Sequence, residues 1–232
     1  MSTFEPPTGL NDNSTIVYID QSFDIVIVSH KYKFIYVAIP KTATHAIRFA
    51  LRRHLGSDDW EQVDLFHQSR LPYKEFQDIT HGHITSSEAK RVLSEEVWDS
   101  YFKFTFVRNP FDRFISYAFF RHRSSEIFAN NKLGIMKLLF KNPSLGDDIL
   151  FKPQWNFVTN EFGENIVDFI GRFESLQSDF DAVCQKVGLP QIKLELHNSS
   201  EHNNYEHYLD EELIGLISSY YKEDLECFDY HL

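Results

Sequence analysis

The hydrophobic pattern of the chain changes its period at Pro40. Residues 34–39 (FIYVAI) are a continuous run of β-branched and aromatic residues, which is typical of a strand buried on both faces. From Ile47 to Leu55 the apolar residues recur at helical spacing instead. The sequence therefore predicts a buried strand, a tight turn and a helix, in this order.

The same alternation continues along the chain. Further strands are predicted at 24–29, 102–107 and 166–170, and helices at 86–98, after Pro110, at 174–187 and at 209–222. Asn109 is a good N-cap residue, and Pro110 suits the first position of a helix. Strands that alternate with helices favour an α/β fold, a single domain in which helices flank a central parallel sheet.

The length of 232 residues fits one compact domain. Residues 1–14 are polar, with two prolines and a glycine, and predict a loose N-terminal tail. We therefore assign residues 15–232 to the folded domain. The two cysteines, Cys184 and Cys227, fall in predicted helices, so we expect both to be buried, reduced thiols.

Charge is distributed unevenly between the two parts of the chain. Residues 1–143 hold 18 basic and 16 acidic residues, whereas residues 144–232 hold 5 basic and 18 acidic residues. A polyphosphate-like ligand is therefore expected on the first part. The overall net charge of −11 argues against nucleic acid as a partner.

No membrane segment or secretion signal is predicted. The most apolar stretch, residues 24–40, is interrupted by His30, Lys31 and Lys33 and predicts two strands. A membrane span would need about 18 or more apolar residues. With only two cysteines and no leader, the sequence favours a cytoplasmic protein without a membrane partner.

Residues 37–45 (VAIPKTATH), here called the phosphate loop, are the strongest local signal for a ligand. Free N–H groups at a helix N-terminus favour an anion, Thr42 and Thr44 add hydroxyl donors, and Lys41 adds a mobile charge. Pro40 stands where a nucleoside-triphosphate P-loop requires glycine, and no acidic partner for Mg²⁺ is evident, so no metal is expected. An ordinary strand–helix turn with a surface lysine is the alternative.

A second candidate anion site lies in RNPFDRFISY, residues 108–117. Arg108 follows a predicted strand, where open α/β sheets bind ligands, and its planar fork suits a terminal phosphate. Ser116 lies two turns along the following helix. A structural salt bridge is the alternative role for Arg108, and Arg113 is expected to be a structural or surface group.

Together these motifs resemble those of the sulfotransferases that use 3'-phosphoadenosine 5'-phosphosulfate (PAPS). The PKTAT segment resembles their 5'-phosphosulfate loop, and RNPFDRFISY resembles their 3'-phosphate motif, an arginine followed eight residues later by a serine. The greatest resemblance is to the carbohydrate sulfotransferase group that includes heparan sulfate 2-O-sulfotransferase. GRFESL (residues 171–176) and YYKEDLECFDY (residues 220–230) are similar to segments of small bacterial homologues.

The resemblance implies a sulfotransferase fold, similar to that of P-loop nucleotide kinases, with PAPS as the sulfuryl donor. It also implies two sets of binding residues. The 5'-phosphosulfate would be surrounded by Lys41, Thr42, Ala43, Thr44 and His45, and the 3'-phosphate would be held by Arg108 and Ser116. His45 departs from the family, which usually has serine or threonine at this place.

Sulfuryl transfer to an alcohol requires a base for the hydroxyl proton and positive charge near the departing phosphate. His81-Gly82-His83 resembles a His-Gly-His segment of the heparan 2-O-sulfotransferase type, in which a histidine is taken as the base. We favour His81 over His83. A metal site and ordinary loop hydrogen bonds are the alternatives for these histidines.

Two further segments are weaker candidates. Ser199 or Ser200 could close over the nucleotide, and residues 152–155 (KPQW) could line the acceptor cleft. The sequence thus predicts a sulfotransferase that acts on a hydroxyl, or an amine, of a carbohydrate or small-molecule acceptor. The alternatives are a kinase with a degenerate phosphate loop and an inactive nucleotide-binding module.

Overall fold

The structure of the protein is a computed structural model that describes residues 26–61, 83–195 and 204–232. Within these ranges it has five β-strands and ten α-helices. The strands are β1 (Val26–Ser29), β2 (Phe34–Val37), β3 (Trp60–Glu61), β4 (Phe102–Val107) and β5 (Phe169–Arg172). The helices are α1 (Thr44–Arg52), α2 (Ser86–Val92), α3 (Glu95–Ser100), α4 (Pro110–Arg121), α5 (Glu126–Asn130), α6 (Lys132–Leu139), α7 (Trp155–Val158), α8 (Leu176–Val187), α9 (Glu211–Tyr220) and α10 (Lys222–Cys227).

The strands form one sheet in the order β3-β1-β2-β4-β5. β2, β4 and β5 are parallel, whereas β1 pairs antiparallel with both β2 and β3. The predicted α/β class is therefore confirmed, and the sheet is mixed, with a parallel half and an antiparallel half. β1 and β2 are antiparallel because only four residues separate them, which permits a hairpin but no helical crossover.

Alternate residues of the buried strands pack against helices on opposite faces of the sheet. Phe34 and Tyr36 contribute to a core that includes residues of α1 and α8. Ile35 and Val37 contribute to a second core that includes Ala89 of α2 and residues of α3. This two-sided burial explains why β2 is a continuous apolar run.

The predicted helix at 86–98 is in fact two helices, and the prediction of one was wrong. α2 ends before Leu93, and Ser94 caps α3 by accepting a hydrogen bond from the Val97 amide. Serine competes for backbone hydrogen bonds and is favoured at a helix start, so it divides the apolar stripe at this point. The start of α2 is a capping box formed by Thr85 and Glu88.

The predicted strand at 166–170 is also displaced. Residues 165–166 pair with residues 158–159 instead, since the Ile166 amide donates to the Val158 carbonyl and Asn165 forms a bridge with Thr159. The strand that joins the sheet is β5, which begins at Phe169. Gly171 in β5 lies directly against the Phe106 ring, and a Cβ at this position would be only 2.5 Å from it.

Other local predictions are confirmed. The β4 strand has the predicted bounds, and Asn109 caps α4 with Pro110 in its first turn. The thiol prediction was wrong for Cys227, which is exposed near the end of α10, whereas Cys184 is buried. None of the helices in the described ranges is long and apolar enough to cross a lipid bilayer.

Candidate functional site

Two turns that carry the predicted binding residues lie at one edge of the sheet. The phosphate loop follows β2, and the Arg108 turn follows β4, which is the parallel neighbour of β2. Parallel neighbours end at the same edge, where α/β sheets bind ligands. The two turns are in direct contact, because Arg108 Nη1 donates a hydrogen bond to the Lys41 carbonyl oxygen over 3.2 Å.

The backbone carbonyls of the phosphate loop are bonded to side chains of the protein. Four successive carbonyl oxygens, those of residues 38–41, each accept a side-chain hydrogen bond. The four donors are His83 Nδ1 to Ala38 (2.8 Å), Thr42 Oγ1 to Ile39 (2.9 Å), Arg113 Nε to Pro40 (3.0 Å) and Arg108 Nη1 to Lys41 (3.2 Å). The carbonyl side of the loop is therefore occupied by the protein itself.

The amide side of the loop has no such partners. Lys41 and Ala43 adopt left-handed backbone angles (φ 68° and φ 65°), and Thr42 between them does not. Alternation of this kind turns successive N–H groups toward one point and forms an anion-binding concavity. Within the described parts of the chain, nothing accepts a hydrogen bond from the amides of residues 41–44. The loop therefore presents donors to an external acceptor.

Lys41 carries its charge in an unusual environment. Its Nζ lies 4.1 Å from the centre of the Phe120 ring on α4. Burial, followed by repulsion from Arg108, Arg113 and Arg123, lowers the pKa of Lys41 from 10.5 to about 8. No ion pair of Lys41 is found among the described residues. A buried lysine of lowered pKa surrounded by arginines is expected where an anionic ligand binds.

Arg108 is buried between an acid and an aromatic ring. Its Nε donates to Asp112 over 2.7 Å, and its guanidinium lies 4.1 Å from the Phe173 ring centre. The salt bridge considered as the alternative role is thus present. The guanidinium has five N–H donors, and its described contacts use two of them, so donors on both terminal nitrogens remain for a ligand.

The other predicted residues differ in how their side chains are used. Thr42 is fully buried, and its hydroxyl donates to the Ile39 carbonyl within the loop. This hydrogen bond stabilises the loop and uses the single donor of the hydroxyl. Thr44 begins α1 and is also buried, and His45 follows it in the first turn. Ser116 is buried on α4, one helical turn beyond Asp112 and on the same face.

The histidine pair is described only in part. His81 lies outside the described residues, as do Ser199 and Ser200. His83 is 4% exposed, and its Nδ1 bonds to the Ala38 carbonyl. Because a carbonyl only accepts, this nitrogen carries the proton. In the described ranges, no three His, Cys, Asp or Glu side chains converge as a metal site.

Arg113 and Gln154 have structural roles. Arg113 is 1% exposed, and besides Pro40 it donates to the carbonyls of Leu150 and Lys152. This agrees with the structural role expected for it. The placing of Gln154 in an acceptor cleft was wrong, because Gln154 is completely buried beneath Arg108.

Sequence reasoning missed the roles of four residues at this site: Phe120, Arg123, Gln154 and Phe173. Phe120 and Arg123 follow the recognised 108–117 motif by one helical turn, and both lie near the Lys41 ammonium. Phe173 lies within the segment GRFESL, whose resemblance was noted without a role. Gln154 was assigned to an acceptor cleft instead, because its contact with Arg108 spans 46 positions of the chain and the local sequence does not show it.

Comparison with known proteins assigns the family. The family model described as "Sulfotransferase family" matches residues 24–231, nearly the whole chain. The chain belongs to the sulfotransferase family. It is also 30% identical to an uncharacterized protein of Archaeoglobus fulgidus over 113 residues. The aligned region covers 49% of this chain and 89% of that protein. A comparison with solved structures found no significant match.

Family membership supports a transferase that moves a sulfuryl group. The finer resemblance to heparan sulfate 2-O-sulfotransferase stays a prediction, as do the proposed domain boundary at residue 15 and the assignment of individual binding residues. The match nevertheless covers both the phosphate loop and the Arg108 turn, which form a continuous site in the structure.

Lys41→Met is expected to stabilise the free protein at pH 7 by about 1–3 kcal/mol, because it removes a charge that burial and the neighbouring arginines disfavour. Above about pH 8 the folded chain has lost a proton that the unfolded chain still binds, so native stability rises with pH up to the ordinary lysine value. Below about pH 8 the full destabilisation by the Lys41 charge is present. The gain should therefore shrink as pH rises through this window, and Tm at several pH values measures it.

The matched control is Lys90→Met, which removes an exposed lysine charge on α2. This variant should change Tm little at any pH. A Lys41→Met protein that is less stable than the parent at pH 7 would contradict the electrostatic account of this site.

Proposed function

We propose that this sulfotransferase uses PAPS as its donor and transfers the sulfuryl group to a hydroxyl of a carbohydrate or small-molecule acceptor. The observation that carries the proposal is the contact between the two anion-binding turns, in which Arg108 donates to the Lys41 carbonyl. A ligand with phosphate groups at two ends of one adenosine requires two adjacent cationic sites. The phosphate loop and the Arg108 turn meet this requirement.

The donor's 5'-phosphosulfate is assigned to the phosphate loop. The amides of residues 41–44, which have no hydrogen-bond acceptor among the described residues, the start of α1 and the Lys41 ammonium supply donors and positive charge there. His45 in the first turn of α1 completes this set. Burial and then repulsion from the neighbouring arginines lower the Lys41 pKa in the free protein, and binding a dianion would neutralise that repulsion.

The donor's 3'-phosphate is assigned to Arg108 and Ser116. Arg108 keeps free donors on its terminal nitrogens, and Phe173 and Asp112 hold its guanidinium plane in one orientation. A bidentate arginine–phosphate contact depends on such a fixed plane. Ser116 lies on the face of α4 that Asp112 shares.

The transfer step is an in-line displacement at sulfur. The acceptor oxygen forms a new bond to sulfur while the bond from sulfur to the bridging 5'-phosphate oxygen breaks, and that oxygen takes the electron pair. Lys41 and the amides of the phosphate loop stabilise the negative charge that builds on the departing phosphate. The acceptor's proton passes to a histidine that acts as a general base.

We assign the base to His81 and a supporting role to His83. The buried ring of His83 already donates to the Ala38 carbonyl at the end of β2, where it holds the phosphate loop. Its neighbour two positions earlier is therefore the better candidate for contact with the acceptor.

Binding of adenosine 3',5'-bisphosphate, the product of the donor, tests the proposed donor. A concentration of about 100 times its Kd should stabilise the protein by about 2.7 kcal/mol, seen as a rise in Tm, whereas ATP with Mg²⁺ should have a much smaller effect. Arg108→Ala should lose most of the response, and Arg91→Ala on the exposed face of α2 should retain it. An equal or larger response to ATP with Mg²⁺ would favour a kinase and overturn the proposal.

His81→Ala is expected to lower kcat by about 10²–10⁴ while leaving the affinity for adenosine 3',5'-bisphosphate unchanged, because only the proton acceptor is removed. Transfer of radiolabelled sulfate from PAPS to a panel of sugars and phenols measures kcat for the best acceptor. His83→Ala should instead weaken nucleotide binding, since the phosphate loop loses a support. Near-parental kcat in His81→Ala would remove His81 from the mechanism.

A further inference from the structure

The Arg108 turn is held from beneath by one buried amide side chain. The Arg108 N–H donates to Gln154 Oε1 over 2.9 Å, and Gln154 Nε2 donates to the Arg108 carbonyl over 2.8 Å. Both backbone groups of Arg108 are therefore bonded to the same side chain. Gln154 is completely buried, and its contacts with Arg108 are to the backbone alone.

This pair of hydrogen bonds takes the place of a neighbouring strand. The last pair of residues in the ladder between β4 and β5 is Val107 with Arg172, so Arg108 lies one residue beyond it. Buried backbone groups at such a position need partners. The reciprocal bonds from Gln154 supply them, and they fix the backbone from which the Arg108 guanidinium extends.

Gln154 is held in turn by a buried carboxylate of α10. Asp224 is completely buried, and it accepts hydrogen bonds from the backbone N–H groups of Gln154 (2.9 Å) and Trp155 (2.7 Å). Its Oδ2 also lies 3.4 Å from Gln154 Nε2. A chain of contacts thus runs from α10 through Gln154 to the backbone of Arg108.

The residue after Arg108 is supported from the same direction. Asn109 donates through its backbone N–H to Glu174 and through its side chain to the His231 carbonyl, over 2.7 and 2.9 Å. Tyr230 donates to the other oxygen of Glu174 over 2.7 Å. The C-terminal segment, residues 222–231, therefore contributes to both residues of the turn that carries the candidate phosphate-binding arginine.

We infer that Gln154 is a positioning residue for recognition of the 3'-phosphate, acting through Arg108 and itself oriented by Asp224. This inference rests on the proposed function, because it assumes that Arg108 contacts that phosphate. An arginine must hold its guanidinium plane in a fixed orientation to make two parallel hydrogen bonds to a phosphate. Loss of Gln154 should therefore affect the 3'-phosphate and spare the 5'-phosphate.

The experiment compares two nucleotides that differ only in the 3'-phosphate. Isothermal titration gives the Kd of adenosine 3',5'-bisphosphate and of adenosine 5'-phosphate for the parent and for Gln154→Met, which keeps the side-chain length without its hydrogen bonds. The parent should prefer the bisphosphate by at least about tenfold, as expected for hydrogen bonds to a charged group. Gln154→Met should lose most of this preference, with the Kd of adenosine 5'-phosphate changed less than about threefold.

Three controls separate positioning from general damage. Gln177→Met makes the same chemical change at an exposed position of α8, where the side chain bonds to Ile192 and Leu194, and should leave the preference intact. Met136→Ala removes a buried side chain from α6 and should lower stability without changing the preference. In an Arg108→Ala background, Gln154→Met should have no further effect on it, because the residues act as one unit.

The outcomes distinguish this inference from the proposed function. A parent protein that binds both nucleotides equally would overturn the proposed donor site itself. A parent that prefers the bisphosphate, together with a Gln154→Met variant that keeps the full preference, would overturn the positioning role alone. If Gln154→Met does not fold, Asp224→Asn gives the same comparison, since it retains volume and weakens the acceptor that orients Gln154.

Discussion

The site depends on hydrogen bonds from four side chains to the carbonyls of residues 38–41. Backbone carbonyls repel anions, so a loop can bind a phosphate only if its carbonyls are turned away and its amides are turned toward the ligand. Here His83, Thr42, Arg113 and Arg108 bind the carbonyls from inside the protein. The left-handed angles of Lys41 and Ala43 then direct the amides outward. Without these four donors nothing would hold the carbonyls inward and the amides toward the ligand.

This arrangement concentrates positive charge in a protein whose overall charge is negative. Arg113 is fully buried, Arg108 nearly so, and both raise the potential at Lys41. The acidic second part of the chain partly offsets this positive charge, because the carboxylates of Asp224 and Glu174 support the Arg108 turn through contacts with backbone N–H groups. Some of the acidic excess of residues 144–232 therefore has a structural purpose at the site, and the amide face of the phosphate loop is left for a ligand.

How much the sequence predicted follows from the range of the interactions involved. The strand–turn–helix around Lys41 and the strand before Arg108 depend on local hydrophobic period, caps and turns, and these were predicted well. The antiparallel pairing of β1 was missed, because the direction of a strand depends on its connections. The break at Ser94 was missed because a long apolar stripe outweighed a cap signal. The roles of Gln154 and Asp224 were missed because their contacts join distant parts of the chain, which the local sequence does not reveal.

A crystal structure with adenosine 3',5'-bisphosphate tests the central claim most directly. The account predicts the 5'-phosphate within hydrogen-bonding distance of the amides of residues 41–44 and the 3'-phosphate on the Arg108 guanidinium, with the carbonyls of residues 38–41 still bonded to their four side chains. A nucleotide bound with its phosphates exchanged, or bound away from the edge where β2 and β4 end, would contradict it.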